Sequence, residues 1–366
     1  MKSPAVWLKL NGKIYTTPQL AAGIHTEGLS LSLFEQTTLS FCQEWLSGKE
    51  SFTLKTSGST GEAKEIKLSR KQMEASAQLT AQALNLQQGY TALLALDTNY
   101  IAGKMMVVRS LVTGMNMIAV SPTADPLANL DIEKIDFAAL VPYQVKSILA
   151  SAESEEKLNG IKTVLIGGAA LDLQTQDKLQ QFNCSVYATY GMTETLSHIA
   201  LQKINGEGKQ DYFETLRGID IGNDERGCLT IDAKALGLEK ITTNDFVKLH
   251  SSHHFTWLGR WDNVINTGGI KVSPEKIERE IEKLFLELHL QNRYLIVGIP
   301  DELLGTKVVL LIEGSFDHQK YSTKILSTLS ASLSKYEAPK EIKNIQKFIE
   351  TRTQKINRTA TLQLIA

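Results

Sequence analysis

The feature of this sequence that most constrains its fold is a regular alternation of short apolar runs with helical segments in the first half. Apolar runs of this length suit buried strands, and the stretches between them have the periodicity of amphipathic helices. Parallel strands need such crossovers, and strands covered on both faces are apolar throughout. We therefore predict a largely parallel sheet with helices on both faces. The strands are expected at 92–96, 117–120, 137–141, 164–166 and 185–189, and the helices at 101–112, 143–151 and 173–182.

A helix start is marked at Ser69. Gln72 stands three residues later, which is the spacing of a capping box. Two short strands are expected just before it, at 53–56 and 65–68. We expect the helix to bury one stripe of side chains, formed by Met73, Ala77, Ala81 and Leu84.

The pattern changes twice in the second half of the chain. After about residue 199, short strands at 228–231, 246–249 and 255–258 are separated by polar turns, which indicates a small antiparallel sheet. After Gly259, Pro274 suits the first turn of a helix to about 288. Strands at 294–299, 307–312 and 342–346 and a helix at 321–333 follow. We predict a large α/β domain over 1–259, a hinge at 260–263 and a small, mobile α+β domain over 264–366.

The composition is that of an ordinary globular protein. The formal net charge is −1, with 22% charged and 42% hydrophobic residues, so no strong field favours nucleic acid or membrane. The three cysteines Cys42, Cys184 and Cys228 are far apart and odd in number, which is typical of a reducing compartment. The first residues lack the apolar core of a secretory signal, and no apolar run approaches the roughly 20 residues of a membrane span. We expect a cytoplasmic protein with small-molecule partners, no nucleic acid and no membrane insertion; whether it forms a homo-oligomer stays open.

One segment has the composition of a phosphate-binding loop. It runs Thr56-Ser57-Gly58-Ser59-Thr60-Gly61-Glu62-Ala63-Lys64. Its glycines allow a tight turn with N–H groups converging on an anion, while hydroxyls add donors and Lys64 adds charge. It is not a Walker A loop, which has glycine before the lysine and a hydroxyl residue after it. On composition alone, a flexible hairpin turn is an equal alternative.

Five further motifs follow this loop along the chain. They are Tyr190-Gly191-Met192-Thr193-Glu194, Thr243-Asn244-Asp245, Gly259-Arg260-Trp261-Asp262, Gly268-Gly269-Ile270-Lys271-Val272 and Thr353-Gln354-Lys355-Ile356-Asn357-Arg358. The first of them follows a strand, where open α/β sheets bind ligands. In this order the six motifs resemble the acyl-adenylate-forming superfamily of acyl-CoA synthetases, adenylation domains and luciferases, over 53–358. The resemblance implies a ligase that uses ATP and Mg²⁺ to activate a carboxylic acid as acyl-AMP and then transfers the acyl group to coenzyme A.

The resemblance also assigns roles to individual residues. The phosphate loop would hold the β- and γ-phosphates of ATP through Thr56, Ser57, Gly58, Ser59, Thr60, Gly61 and Lys64. The segment Gly167-Gly168-Ala169 would line the adenine and acyl pocket. Tyr190, Gly191 and Thr193 of the second motif are also expected to bind the cofactor. Asp245 would bind the ribose hydroxyls, and Arg260 the ribose and phosphate. Glu194 and Thr60 would hold Mg²⁺, which prefers such hard oxygen ligands.

Lys355 resembles the mobile catalytic lysine of the superfamily and, with Glu194 and Thr60, completes the implied catalytic set. A cation placed where charge develops on the phosphate stabilises the transition state more than the ground state. Without the resemblance, a lysine near the end of a chain is a solvated surface charge. After pyrophosphate leaves, the small domain would rotate about the hinge so that Gly268 and Gly269 line the pantetheine channel.

Three positions depart from the superfamily pattern. Ala63 and Gln354 replace the usual proline and glycine beside the two lysines, and Asn244 replaces a glycine before Asp245. A subdomain at the N-terminus is expected to be largely missing. The predicted fold is therefore acyl-CoA synthetase-like and N-terminally shortened.

Within the superfamily, the sequence is most similar to the o-succinylbenzoate–CoA ligases of menaquinone biosynthesis, on residues 99–106 and 191–198. That acid has a second carboxylate, so its pocket should offer a cation or several hydrogen-bond donors. The residues proposed for this role are Lys104, Thr195, Ser197 and His198. The alternatives are another aryl- or acyl-CoA ligase, a stand-alone adenylation protein that loads a carrier thiol, and a non-catalytic nucleotide-binding protein, the last suggested by Gln354.

Overall fold

Strands and helices alternate along the chain. The computed structural model describes residues 6–10, 12–24, 30–55, 65–131, 134–350 and 356–365. The strands are β1 (Trp7–Leu10), β2 (Lys13–Thr16), β3 (Ser51–Lys55), β4 (Glu65–Ser69), β5 (Thr91–Leu94), β6 (Asn116–Ala119), β7 (Phe137–Leu140), β8 (Thr163–Ile166), β9 (Ser185–Gly191), β10 (His198–Lys203), β11 (Phe213–Thr215), β12 (Asp220–Asn223), β13 (Cys228–Asp232), β14 (Ile241–Leu249), β15 (His254–Arg260), β16 (Ile265–Thr267), β17 (Ile270–Val272), β18 (Tyr294–Asp301), β19 (Gly305–Glu313) and β20 (Glu341–Ile345). The helices are α1 (Thr17–Ala22), α2 (Leu33–Leu46), α3 (Arg70–Ala83), α4 (Ile101–Thr113), α5 (Pro142–Ile148), α6 (Ala152–Gly160), α7 (Leu173–Leu179), α8 (Pro274–Glu287), α9 (His318–Ser332) and α10 (Arg358–Leu362).

The chain divides into two compact units. Unit 1 comprises Met1–Ile221, Ile231–Ile241 and His250–Phe255, and unit 2 comprises Gly222–Thr230, Thr242–Leu249 and Thr256–Ala366. The division into domains at 1–259 and 264–366, with a hinge at 260–263, stays a prediction.

The core of unit 1 is a mixed sheet with a parallel centre. Its strand order is β11-β10-β9-β8-β7-β5-β6-β1-β2. All neighbours from β9 to β1 are parallel, whereas β10, β11 and β2 pair antiparallel. Strands β7 and β8 are buried along their whole length, as expected for strands covered on both faces. The predicted α/β fold class is confirmed, and the antiparallel strands β10 and β11 continue the parallel part at its edge.

Helix α3 begins where the capping box predicts. The Ser69 hydroxyl accepts a hydrogen bond from the Gln72 N–H at 3.3 Å, and the Gln72 side chain accepts one from the Ser69 N–H at 3.0 Å. Helix α3 packs against α4, and its buried face differs from the predicted stripe. This face comprises Met73, Ser76, Ala77 and Thr80, whereas Ala81 and Leu84 are half-buried. The packing therefore buries two hydroxyl groups between the helices.

Helix α4 is buried continuously from Met105 to Ser110, and this stretch includes a charged residue. A Cβ atom at Gly103 would lie 2.4 Å from the backbone oxygen of Asp97 in the loop between β5 and α4. Glycine is therefore required for the helix to pack on this loop. Gly114 ends the helix in the left-handed conformation. Between them lies Arg109, which is 3% exposed. This arginine lies outside all six sequence motifs.

Unit 2 contains a three-stranded sheet in the order β18-β19-β20. The pair β18 and β19 is antiparallel, and β19 and β20 are parallel. Helix α8 begins at Pro274 as predicted and buries Ile277, Ile281, Leu284 and Phe285 in a core that also includes residues of α9. The predicted strands and helices of this region are confirmed with small shifts of their ends.

Each of the three cysteines is a buried free thiol. Burial raises the pKa of Cys42 to about 12 and that of Cys184 to about 11. These thiols stay protonated at neutral pH and are poor nucleophiles. Within the part of the chain that the structure describes, no helix has the length and apolar character needed to cross a membrane.

Candidate functional site

The carboxyl ends of β8 and β9 bring two of the predicted segments together. These strands are parallel neighbours, with Ile166 paired to Ala188, so the segments that follow them leave the same edge of the sheet. One is Gly167-Gly168-Ala169, and the other contains the second motif, 190–194. A Cβ atom at Gly167 would lie 2.4 Å from the Thr189 hydroxyl. The lack of a side chain there permits this close approach.

A tight turn after β9 fixes the residues from 193 to 198. A Cβ atom at Gly191 would lie 2.3 Å from the Ser197 backbone oxygen, so the chain folds back directly onto the end of the strand. Leu196 is fully buried and has a φ of 65°, which is uncommon for a residue with a side chain. The Thr195 hydroxyl accepts a hydrogen bond from the Met192 N–H at 2.9 Å and lies 2.8 Å from the Ser197 oxygen. Thr195 is buried and engaged with the backbone of the turn.

Glu194 lies in the 3₁₀ turn Thr193–Thr195 and is exposed. It has no hydrogen bond or ion pair to any other described residue, so its carboxylate is available to an external ligand. No group of three or more His, Cys, Asp or Glu side chains in the described ranges could hold a metal ion. The single carboxylate of Glu194 fits Mg²⁺, which is often bound by one or two carboxylates together with substrate phosphates.

Arg109 of α4, which belongs to none of the sequence motifs, contacts the turn after β9. Its Nη2 donates a hydrogen bond to the Ser197 hydroxyl at 2.5 Å and lies 3.5 Å from Nδ1 of His198. Its Nε is buried without a hydrogen-bond partner, and no carboxylate among the described residues pairs with the guanidinium. Burial lowers the pKa of Arg109 to about 10, so the group is still charged at neutral pH. Its signal in the sequence was an arginine that directly follows the apolar run Met105-Met106-Val107-Val108.

His198 is buried against Arg109 and helix α3. Its Nε2 lies 3.0 Å from the Thr80 hydroxyl, and the ring is 7% exposed. Burial and the nearby Arg109 charge together hold the pKa of His198 well below its usual value. His198 is therefore a neutral imidazole at neutral pH. The structure places Arg109 beside Ser197 and His198, two of the four residues proposed to bind the second carboxylate.

Lys104 occupies a different environment on α4. Its ammonium group donates a hydrogen bond to the Thr98 backbone oxygen at 2.6 Å and lies 4.9 Å from the centre of the Phe41 ring. Burial lowers its pKa, an effect partly opposed by the nearby carboxylates of Glu44 and Asp97. A substrate role for Lys104 stays a prediction, as it does for Thr195.

In unit 2, Asp245 is a buried carboxylate on β14. Its Oδ1 accepts a hydrogen bond from the Trp257 indole at 3.2 Å, and Nη1 of Arg260 lies 3.7 Å away. Arg260 also pairs with Asp262 at 2.9 Å. Asn244, which replaces a glycine of the superfamily pattern, donates to the same Asp262 carboxylate at 3.0 Å. The residues predicted for ribose binding and for the hinge are thus joined by direct contacts within this unit.

Gly268 and Gly269 form the turn of the hairpin between β16 and β17. Both have positive φ, 56° and 81°, which a two-residue type I′ turn requires. A role of these glycines beside the pantetheine channel stays a prediction.

The phosphate loop and the catalytic lysine lie outside the described residues. This applies to Thr56, Ser57, Gly58, Ser59, Thr60, Gly61, Lys64 and Lys355. The strands on either side of the loop, β3 and β4, form an antiparallel pair that ends with Lys55 opposite Glu65. Just after residue 355, the Arg358 guanidinium donates hydrogen bonds to both carboxylate oxygens of Glu278, at 2.8 and 2.6 Å.

Several known proteins that resemble this chain are named as AMP-forming synthetases or CoA ligases. The model of the AMP-binding enzyme family matches residues 51–219. An acyl-CoA synthetase (AMP-forming)/AMP-acid ligase II-like protein from Dyadobacter fermentans is 36% identical; the match covers 96% of this chain and 98% of that one, with a TM-score of 0.64. The 2-succinylbenzoate–CoA ligase of Geobacillus sp. (strain WCH70) is 25% identical over 85% of this chain and 68% of that protein. This chain thus spans about two thirds of that ligase's length.

Solved structures of o-succinylbenzoate CoA synthetase from Bacillus subtilis also match. The complex with the acyl-adenylate intermediate gives a TM-score of 0.69 at 19% identity, covering 84% of this chain and 68% of that one. The complex with ATP and magnesium gives 0.68 at 18% identity, covering 85% and 69%. At these identities the likeness concerns the fold.

Proposed function

We propose that this chain, which belongs to the AMP-binding enzyme family of AMP-forming acid–CoA ligases, activates o-succinylbenzoate as its acyl-adenylate. Pyrophosphate is released in that step, and the acyl group is then transferred to coenzyme A. The observation that carries the choice of acid is the buried Arg109 guanidinium, which pairs with no carboxylate among the residues described. An acid with a second carboxylate supplies that partner.

The energetics of Arg109 favour an anionic ligand. A buried charge without a counter-ion costs several kcal/mol. A buried arginine therefore calls for an interaction that compensates this cost. The guanidinium fork matches a carboxylate, and its Nε has no protein partner in the described part of the chain. Ser197 adds a hydroxyl beside it. An acid with a purely apolar tail would leave this charge buried and uncompensated.

The names of similar proteins support the same acid. The Geobacillus relative is a 2-succinylbenzoate–CoA ligase, and a solved neighbour holds the corresponding acyl-adenylate. The Dyadobacter protein, which is more similar in sequence, is named only as an AMP-forming synthetase-like protein. Other aryl- or acyl-CoA ligase activities and carrier-thiol loading are therefore the alternatives that the experiment must separate.

The chain's own residues supply the remaining parts of the reaction. Asp245 and Arg260 would bind the ribose and phosphate of ATP, and Glu194 with Thr60 would hold Mg²⁺. The metal, when bound, neutralises charge on the phosphate oxygens. Lys355 would place a second positive charge at the reacting phosphate during adenylation.

The test is isotope exchange of pyrophosphate into ATP with a panel of acids. We expect o-succinylbenzoate to support exchange well above benzoate and a long-chain fatty acid. Exchange with benzoate or the fatty acid, but not with o-succinylbenzoate, overturns the acid. Absence of exchange with every acid overturns the enzymatic proposal and favours a nucleotide-binding protein without catalysis. Product formation that requires a carrier protein instead of coenzyme A identifies a stand-alone adenylation protein.

A further inference from the structure

The proton arrangement around Thr80 determines which nitrogen of His198 carries hydrogen. The Thr80 hydroxyl oxygen lies 3.0 Å from the Ser76 backbone oxygen and 3.0 Å from Nε2 of His198. A carbonyl oxygen can only accept, so the single hydroxyl proton of Thr80 is donated to Ser76. The Thr80 oxygen must then accept a hydrogen bond from His198, and Nε2 carries the proton.

The other ring nitrogen faces Arg109. In a neutral imidazole with hydrogen on Nε2, Nδ1 bears a lone pair. This lone pair lies 3.5 Å from Nη2 of Arg109 and 3.5 Å from the Ser197 hydroxyl oxygen. The opposite tautomer would direct an N–H group at the guanidinium N–H groups, and a protonated ring would bring two positive charges together. Only the tautomer selected by Thr80 is compatible with this packing.

From this geometry we infer that Thr80 and His198 are positioning residues of the second-carboxylate site. Thr80 selects the His198 tautomer, and the resulting acceptor nitrogen holds the Arg109 guanidinium beside Ser197. His198 therefore acts through Arg109 rather than as a direct ligand of the acid. This inference rests on the proposed function, since it concerns the affinity for the diacid.

The arrangement also accounts for the hydroxyl of Thr80 on the buried face of α3, whereas the Ser76 hydroxyl has no hydrogen-bond partner among the described residues. Ser76 and Thr80 are one turn apart on the buried face, and both are at most 1% exposed. Their burial against α4 is costly unless hydrogen bonds compensate it. The Ser76 backbone oxygen and the His198 ring provide them for Thr80. A buried threonine at this position thus has a specific partner in the acid-binding turn.

The test compares Thr80→Val, which removes the acceptor, with Thr80→Ser, which keeps it. We expect Thr80→Val to raise the KM for o-succinylbenzoate about tenfold, the factor that corresponds to losing one buried hydrogen bond. The kcat and the KM for ATP should change little, and Thr80→Ser should restore the wild-type KM. Thr175→Val makes the same change at another buried helical threonine of unit 1 and should leave all three constants unchanged.

A second readout does not depend on catalysis. Nitrogen NMR of protein labelled at its seven histidines reports the tautomer of each ring, and His198→Gln assigns the relevant signal. We expect the wild type to show hydrogen on Nε2 of His198 and Thr80→Val to lose that preference. If the tautomer is the same in both proteins, or if Thr80→Val keeps the wild-type KM for the diacid, the inference is overturned. A wild type that shows the expected tautomer but no preference for diacids would instead overturn the proposed substrate.

Discussion

The Ser197 hydroxyl accepts a hydrogen bond from Nη2 of Arg109 at 2.5 Å, joining two residues 88 positions apart. One belongs to the tight turn after β9 and the other to the buried middle of α4. Arg109 has no carboxylate partner among the described residues, and this is the basis on which we propose that an anionic group of the substrate pairs with it.

Arg109→Met is expected to lower kcat/KM for o-succinylbenzoate about 100-fold, since hydrogen bonds to a charged group contribute about 1.5–3 kcal/mol. The free energy of unfolding should be unchanged or higher, because an apolar side chain of similar length replaces a buried charge. Arg109→Lys keeps the charge but loses the planar guanidinium, so its kcat/KM should lie between those of the wild type and Arg109→Met. Pyrophosphate exchange and urea denaturation measure both effects. Wild-type activity of Arg109→Met with the diacid would contradict the assignment.

Glu194→Gln should raise the Mg²⁺ concentration needed for half-maximal adenylation about tenfold, because a neutral amide is a weaker ligand for a hard cation. The unfolding free energy should not change, since Glu194 is exposed and has no partner among the residues that the structure describes. A Mg²⁺ titration of the exchange rate makes the measurement. Glu207→Gln, at another exposed glutamate, is the matched control. Equal titration curves for both variants would exclude Glu194 as a metal ligand.

Lys355→Ala is expected to reduce adenylation by roughly 100- to 1,000-fold, the loss typical for removing a group that stabilises transition-state charge. Thioester formation from a supplied acyl-adenylate should remain close to the wild-type rate, because the lysine is assigned to the first half-reaction only. Rapid-quench assays of each half-reaction separate the two. Lys347→Ala removes an exposed lysine a few residues earlier and serves as the control. A similar loss in both half-reactions would rule out the model in which the small domain rotates so that Lys355 acts only in adenylation.

His198 gives a prediction for stability against pH. Burial and the Arg109 charge hold its pKa well below the ordinary value of 6.5, so the folded protein keeps the ring neutral where the unfolded chain protonates it. The contribution of His198 to stability is thus fully present above pH 6.5 and is lost as the pH falls from there towards the folded pKa. In that window the wild type should lose up to ~1.4 kcal/mol per pH unit more than His198→Gln. Parallel denaturation curves of the two proteins at pH 7.5 and below 6.5 check this, and an unchanged difference would contradict it.

Much of the fold followed from local signals. The strands β5 to β9 lie where the apolar runs predict, and the capping box at Ser69 and the proline at 274 mark the starts of α3 and α8. Such signals depend on residues within one or two turns of each other, so they can be read along the chain. The buried face of α3 could not be read in this way. It was set by packing against α4, which buried Thr80 in place of Ala81.

In the candidate site, too, some features follow from the sequence and others from tertiary contacts. The sequence by itself determined the α/β alternation, the order of the motifs and the family, because these are properties of spacing and residue type. Only the tertiary structure decided that Arg109 meets Ser197 and His198, and that Thr80 fixes the histidine proton. Those contacts join positions 88 to 118 residues apart. A burial cost and a fixed tautomer arise only once the surrounding side chains have excluded water.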